Sequence, residues 1–167
     1  VDEAIACYRK AIELEPDHAN AHFNLGQALR RKGDLVGQAA AYEKVVALRP
    51  DDAEAHNNLG SVLHKKGAPE KAIAEYRTAI RLKPDFALAH TNLGGALGEK
   101  GLLDEAIAAL KEAIRLKPDY GQAHTNLGVA LYGQGKLDAA IASFRAAIRL
   151  KPDDALTHTN LGGALGE

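Results

Sequence analysis

From residue 136 to 152 the chain reads KLDAAIASFRAAIRLKP, with Ala140, Ile141, Phe144, Ala147 and Ile148 three or four positions apart. That spacing gathers them into one apolar stripe along a helix. Asp138 near the start, with Arg149 and Lys151 near the end, suits the helix dipole. Pro152 cannot continue the helix. The stretch before it, AHTNLGVALYGQG at 123–135, keeps Leu127, Gly128 and Leu131 at helical spacing behind His124, and Gly135 stands where a glycine ends a helix. The pattern therefore predicts two consecutive helices. No strands are placed anywhere.

The pair recurs. Proline falls at Pro16, Pro50, Pro84, Pro118 and Pro152, each 34 residues after the last, and Leu-Gly falls at the same interval from Leu25-Gly26 to Leu161-Gly162. A second glycine column runs Gly33, Gly67, Gly101, Gly135. Residues 85–118 match residues 119–152 at 21 of 34 places. A fixed period of this length marks a duplicated supersecondary unit. The organisation that follows is a lone second-type helix (1–16), four full units (17–50, 51–84, 85–118, 119–152) and a lone first-type helix (153–167), ten helices in a single array. The Asp after each proline (Asp17, Asp51, Asp85, Asp119, Asp153) is placed to cap the next first helix. Pro69 occupies a first-turn position that tolerates it.

Composition agrees with an all-α chain, since alanine, the best helix former, is abundant. With 21 Lys+Arg against 22 Asp+Glu the net charge is −1, which argues against nucleic acid as partner. No apolar run is long enough for a membrane helix. One cysteine, Cys7, excludes an internal disulfide framework and a multi-cysteine metal site. Methionine is absent and the chain begins at Val1, so it is expected to be a piece of something longer. The lone cysteine and the lack of a signal-like segment lean to the cytoplasm.

The columns resemble the tetratricopeptide repeat (TPR), whose pattern is W-x2-L-G-x2-Y, then A-x3-F, then P. Here the first half reads His56-x2-Leu59-Gly60-x2-Leu63, and the second reads Ala72-x3-Tyr76, Ala79, Pro84. The resemblance covers the whole chain, and NNLG at 57–60 is similar to repeats in the TPR superhelix of O-linked N-acetylglucosaminyltransferase. Two columns depart from the pattern. The Trp column is His22, His56, His90, His124 and His158, and the small-residue column Ala4, Ala72, Ala106, Ala140 is broken by Gln38. Gln38 is expected either to loosen its helix pair or to find a local partner for its amide. The resemblance implies a right-handed superhelix, an α-solenoid of antiparallel helix pairs, with the first helices lining a concave groove.

On that groove the resemblance puts one asparagine per unit: Asn24, Asn58, Asn92, Asn126 and Asn160. Asparagine is a poor helix-interior residue, and its amide carries both a donor and an acceptor, so the column reads as a ladder for the backbone of an extended peptide. The alternative is a copied residue bonding within its own helix pair. Neighbouring columns would shape side-chain pockets, through Asn57, Thr91 and Thr125 in one, Leu88 in another and Val129 in a third. The Asn20 and Asn24 columns hold no Lys or Arg, which argues against clamping a C-terminal carboxylate. Arg30, Arg31, His64, Lys65 and Lys66 make one edge basic, either for an acidic peptide or as a solvated face. Gly95 and Gly98 with their copies Gly163 and Gly166 either make room for a ligand or are merely tolerated. The histidine column reads as rings packed where tryptophan usually sits. No metal, cofactor or catalytic residues are assigned, because no nucleophile elbow, P-loop, GxGxxG, HExxH or paired-cysteine motif is present.

The reading is a non-enzymatic protein–protein interaction scaffold. The alternatives are a substrate-recruiting segment of a larger enzyme, such as a glycosyltransferase, or a self-assembling structural solenoid. The last follows from register: the chain is three residues short of five full periods, so a second copy would resume the repeat and head-to-tail assembly is expected.

Overall fold

The turns that join the helices are set by four glycines. Gly33, Gly67, Gly101 and Gly135 each hold φ between +71° and +78°, a left-handed conformation that costs other residues dearly. Each stands just past a first helix and folds the chain back so that the second helix lies antiparallel on the first. The computed structural model describes residues 1–167. It contains ten α-helices and no strand: α1 (Asp2–Leu14), α2 (Ala19–Lys32), α3 (Leu35–Leu48), α4 (Ala53–Lys65), α5 (Pro69–Leu82), α6 (Ala87–Glu99), α7 (Leu103–Leu116), α8 (Gly121–Gly133), α9 (Leu137–Leu150) and α10 (Ala155–Leu165). None is long and apolar enough to cross a membrane.

The chain divides into two compact units, Val1–Pro84 and Asp85–Glu167, at a repeat boundary. In the first unit α2 packs on α1 and α3, and α4 packs on α3 and α5. In the second, α7 packs between α6 and α8, α9 between α8 and α10, and the first-type helices α6, α8 and α10 also touch their neighbours in turn.

One lock holds every helix pair. The glycine of Leu-Gly leaves a slot on the first helix, and a ring or branched chain from the second helix fills it. Tyr42 fills the slot over Gly26, Tyr76 over Gly60, Leu110 over Gly94 and Phe144 over Gly128. These four fillers are at most 1% exposed. Around them lie the small residues that let the helices approach, Ala72, Ala106 and Ala140, all fully buried. Gln38 breaks that column without changing the fold. Its side chain is buried beside the Tyr42 phenol, and its Oε1 has no partner. Burial pushes the Tyr42 phenol up to about 12.

The Trp-column histidines take a definite structural job. His22, His56, His124 and His158 each donate Nε2–H to the carbonyl of the proline six residues earlier, at 2.8–3.1 Å. The ring therefore ties the first turn of a first helix to the turn that ended the helix before it, and satisfies a carbonyl freed there.

The caps fall one residue later than the sequence pattern places them. Asp52, not Asp51, caps α4 by accepting from the Ala55 amide at 2.9 Å. The cap positions of α2, α6 and α8 are His18, Phe86 and Tyr120, with no side-chain cap bond. The Asp after each proline lies in the turn itself.

Candidate functional site

The first-type helices carry the asparagine column, and each unit presents its own share. In the first unit Asn24 on α2 is exposed and Asn58 on α4 is half-buried. The Asn58 Nδ2 is itself buried and has no hydrogen-bond partner. A buried donor without a partner costs about 1–3 kcal/mol, and a turn of the side chain toward solvent would bring it within reach of an acceptor.

In the second unit Asn92, Asn126 and Asn160 are half-buried on α6, α8 and α10. Asn126 is oriented. Gln122, one turn earlier, donates Nε2–H to Asn126 Oδ1 at 2.8 Å. With its oxygen held, Asn126 turns its Nδ2 toward Gly95 of α6, where a Cβ would lie 3.3 Å away. The glycine thus leaves room beside the amide. Gly98 has no such neighbour, since the nearest atom to its Cβ position is Ala106 Cβ at 3.9 Å. At Asn58 and Asn126 the group without a protein partner is therefore a donor.

The apolar candidates Leu88 and Val129 are 38% and 48% exposed, and Leu156 on α10 is exposed as well. They are available to a ligand. Asn57, Thr91 and Thr125 are not. They are 1–3% exposed. Thr91 bonds back to the Ala87 carbonyl at 2.9 Å. Thr125 meets the Thr157 hydroxyl of α10 at 2.8 Å, and Thr157 in turn donates to Asp154. Thr125 thus ties α8 to α10, and the burial of Asn57, Thr91 and Thr125 leaves almost no surface for the ligand contact expected of them. Thr157 had a signal of its own, since it interrupts the column Ala21, Ala55, Ala89, Ala123. In the first unit the column of Asn57, Thr91 and Thr125 places Phe23 edge-on against Tyr42, with centroids 5.7 Å apart.

The electrostatics differ between the units. The last turns of α2 and α4 hold Arg30, Arg31, Lys32, His64 and Lys65, whereas those of α6, α8 and α10 hold no basic residue. Lys32 reaches Asp2 at 2.7 Å, and this bond holds the Asp2 carboxyl below the usual carboxylate range. Arg30 and Arg31 are exposed and sit where cations favour the negative end of the helix dipole.

A family model described as tetratricopeptide repeat matches residues 1–53 and 91–155, a second so described matches 41–74, and one described as TPR repeat matches 63–101. Among solved structures the chain is similar to YrrB, described as a TPR protein with an unusual peptide-binding site. The identity is 26%, over 95% of this chain and 81% of YrrB, with a TM-score of 0.81. It is similar to MamA at 29% identity, over 92% and 90% of the two chains, with a TM-score of 0.84. A chain of the APC/C hetero-tetramer Cut9–Hcn1 shares the fold, with a TM-score of 0.87 at 24% identity, over 98% of this chain and 33% of that one. No curated protein sequence matches.

Proposed function

This chain belongs to the tetratricopeptide repeat family, and we propose that it works as a protein-interaction scaffold that holds an extended peptide segment on its first-type helices. The observation that carries the reading is the state of the asparagine amides. Asn58 keeps a buried Nδ2 without a partner, and Gln122 holds Asn126 by its oxygen so that its Nδ2 is left for a ligand. Amide donors repeated at a fixed interval suit the backbone carbonyls of an extended chain, which every peptide carries whatever its side chains. Asn24, Asn92 and Asn160 continue the column. Leu88 and Val129 would supply apolar contact beside it, and the basic ends of α2 and α4 favour acidic residues over that part of the peptide. YrrB, with its peptide-binding site, supports the same reading by likeness.

The test is a peptide array probed with the parent chain and with the variant Asn58→Ala, Asn92→Ala, Asn126→Ala. Each lost hydrogen bond is worth about 0.5–1.5 kcal/mol, and 1.4 kcal/mol is about a factor of ten in affinity. The variant is expected to bind parent hits at least about ten-fold more weakly, with helicity unchanged because Ala favours helix over Asn. Equal binding by both proteins removes the asparagines from the reading.

A further inference from the structure

The second-type helices α1 and α3 both pack on α2, and a cleft of about 440 Å³ lies between them over α2. That volume is within the range of small-molecule sites. The floor is apolar, with Leu25 and Leu29 of α2 below Ile12 on the α1 wall and Ala40 on the α3 wall. Ile12 is half-buried, as are its counterparts Val46, Ile80, Ile114 and Ile148 on α3, α5, α7 and α9, so this side of α1 is in the state of an interior helix. The α3 wall is trimmed, because Gly37 and Ala41 stand where the next repeat has Lys71 and Glu75. In that repeat the Glu75 carboxylate meets Nδ1 of His56 at 2.6 Å, while Nε2 of the same ring bonds the Pro50 carbonyl at 3.1 Å. His22 lines the cleft and keeps only the second kind of bond, from Nε2 to the Pro16 carbonyl at 2.8 Å. With Ala41 in place of the glutamate, its Nδ1 has no carboxylate to meet. Arg9 adds an exposed guanidinium to the α1 wall, and Glu13, the acid among the lining residues, is taken by Lys10 at 2.9 Å.

We propose that this cleft binds a free monocarboxylate with an aliphatic stem, whose carboxylate takes at His22 the place that Glu75 holds at His56. The His22 ring already donates Nε2–H to Pro16, so donating Nδ1–H as well makes it an imidazolium. The bound anion is then its counter-ion, and a hydrogen bond between charged groups is shorter and stronger than a neutral one. Arg9 is the second cation at the cleft. The stem lies over Leu25, Leu29 and Ala40, and the gain from removing it from water grows with each methylene. A glutamate side chain has only two methylenes and would fill only the part of the cleft nearest His22. A longer free acid also covers the apolar floor. No residue of the asparagine column lines the cleft, so it is separate from the peptide site.

Titration of the 167-residue chain with sodium octanoate, followed by methyl and ring-nitrogen NMR signals at one fixed pH near neutrality, tests this. Octanoate is expected to shift the methyl signals of Leu25, Leu29 and Ala41 saturably and to give the His22 ring the nitrogen shifts of an imidazolium. Octan-1-ol has the stem without the charge, and propionate has the charge without the stem. Each should bind at least about ten-fold more weakly. Ala41→Glu supplies the carboxylate from the chain itself. It should show the imidazolium shifts with no ligand and lose octanoate binding, with helicity unchanged because the next repeat accommodates Glu75 at the same position. Arg9→Ala, at an exposed position, should weaken octanoate binding several-fold and leave the fold intact. Absence of saturable shifts at the cleft overturns the proposal. So does octan-1-ol binding as tightly as octanoate, or octanoate binding to Ala41→Glu at the parent's affinity. N-acetyl-Leu-Glu-Leu-amide binding more tightly than octanoate would make the occupant a partner's glutamate side chain, which overturns the free acid.

Discussion

Phe144→Ala is expected to lower stability by about 3–5 kcal/mol, the range for deleting a fully buried aromatic side chain. Phe144 is 1% exposed and fills the slot over Gly128, where three of its ring carbons lie within 3.0 Å of a Cβ position. Truncation leaves a void between α8 and α9. The two helices are held at their separation by Ala140 and Ala147, which are themselves buried and cannot move in to fill it. Since α9 also carries α10, the loss should fall first on the C-terminal end, because repeat arrays unfold as neighbouring units. Chemical denaturation followed by far-UV circular dichroism reads the change, and the early transition should involve α8 to α10. A loss below about 1 kcal/mol, the level of an ordinary point substitution, would mean that the slot fillers do not lock the pairs.

The glycine side of the same lock gives the second large effect, in a contrast between two helix-interior glycines. At Gly60 a Cβ would lie 2.7 and 2.8 Å from Tyr76 ring carbons and 3.2 Å from the Ala72 carbonyl oxygen. The ring is confined and the carbonyl is backbone, so neither can give way. Gly60→Val is expected to destabilise by about 3 kcal/mol, the upper part of the usual cost of overpacking. At Gly98 the nearest atom is at ordinary contact distance, 3.9 Å. Gly98→Ala should therefore stabilise by up to about 1 kcal/mol, the helix-propensity difference. Thermal melts of the two variants should move in opposite directions. Melts that move together would show that propensity and not packing governs the column.

The contrast also marks how much was legible in the sequence. Helix number, turn glycines and the Leu-Gly column follow from periodicity, because each depends on a residue type that only one local conformation suits. The caps fall one residue off because the residue after proline is taken up by the turn, a geometric detail that an Asp at either position leaves open. The histidine latch was visible only as two columns six residues apart. Its acceptor is a backbone carbonyl, and no residue type announces it. The burial of Asn57, Thr91 and Thr125 was hidden for a related reason. Period within one helix locates its apolar stripe, but which flank meets the next first helix depends on packing between repeats. The asparagines lie one position further round, with Asn24 exposed and the other four half-buried. Gln122 and Gly95 gain their meaning only in three dimensions, as the donor that holds Asn126 and the space beside it.

The central claim is that the asparagine amides donate to a bound peptide. It is tested most directly by the side-chain amide signals of Asn58 and Asn126 in a nitrogen–proton correlation spectrum, followed while a peptide taken from the array is titrated in. The account predicts that the Nδ2 protons of both residues shift downfield and saturate at the affinity measured for the whole protein. Side-chain amide signals that stay in place while the peptide perturbs other residues would contradict it.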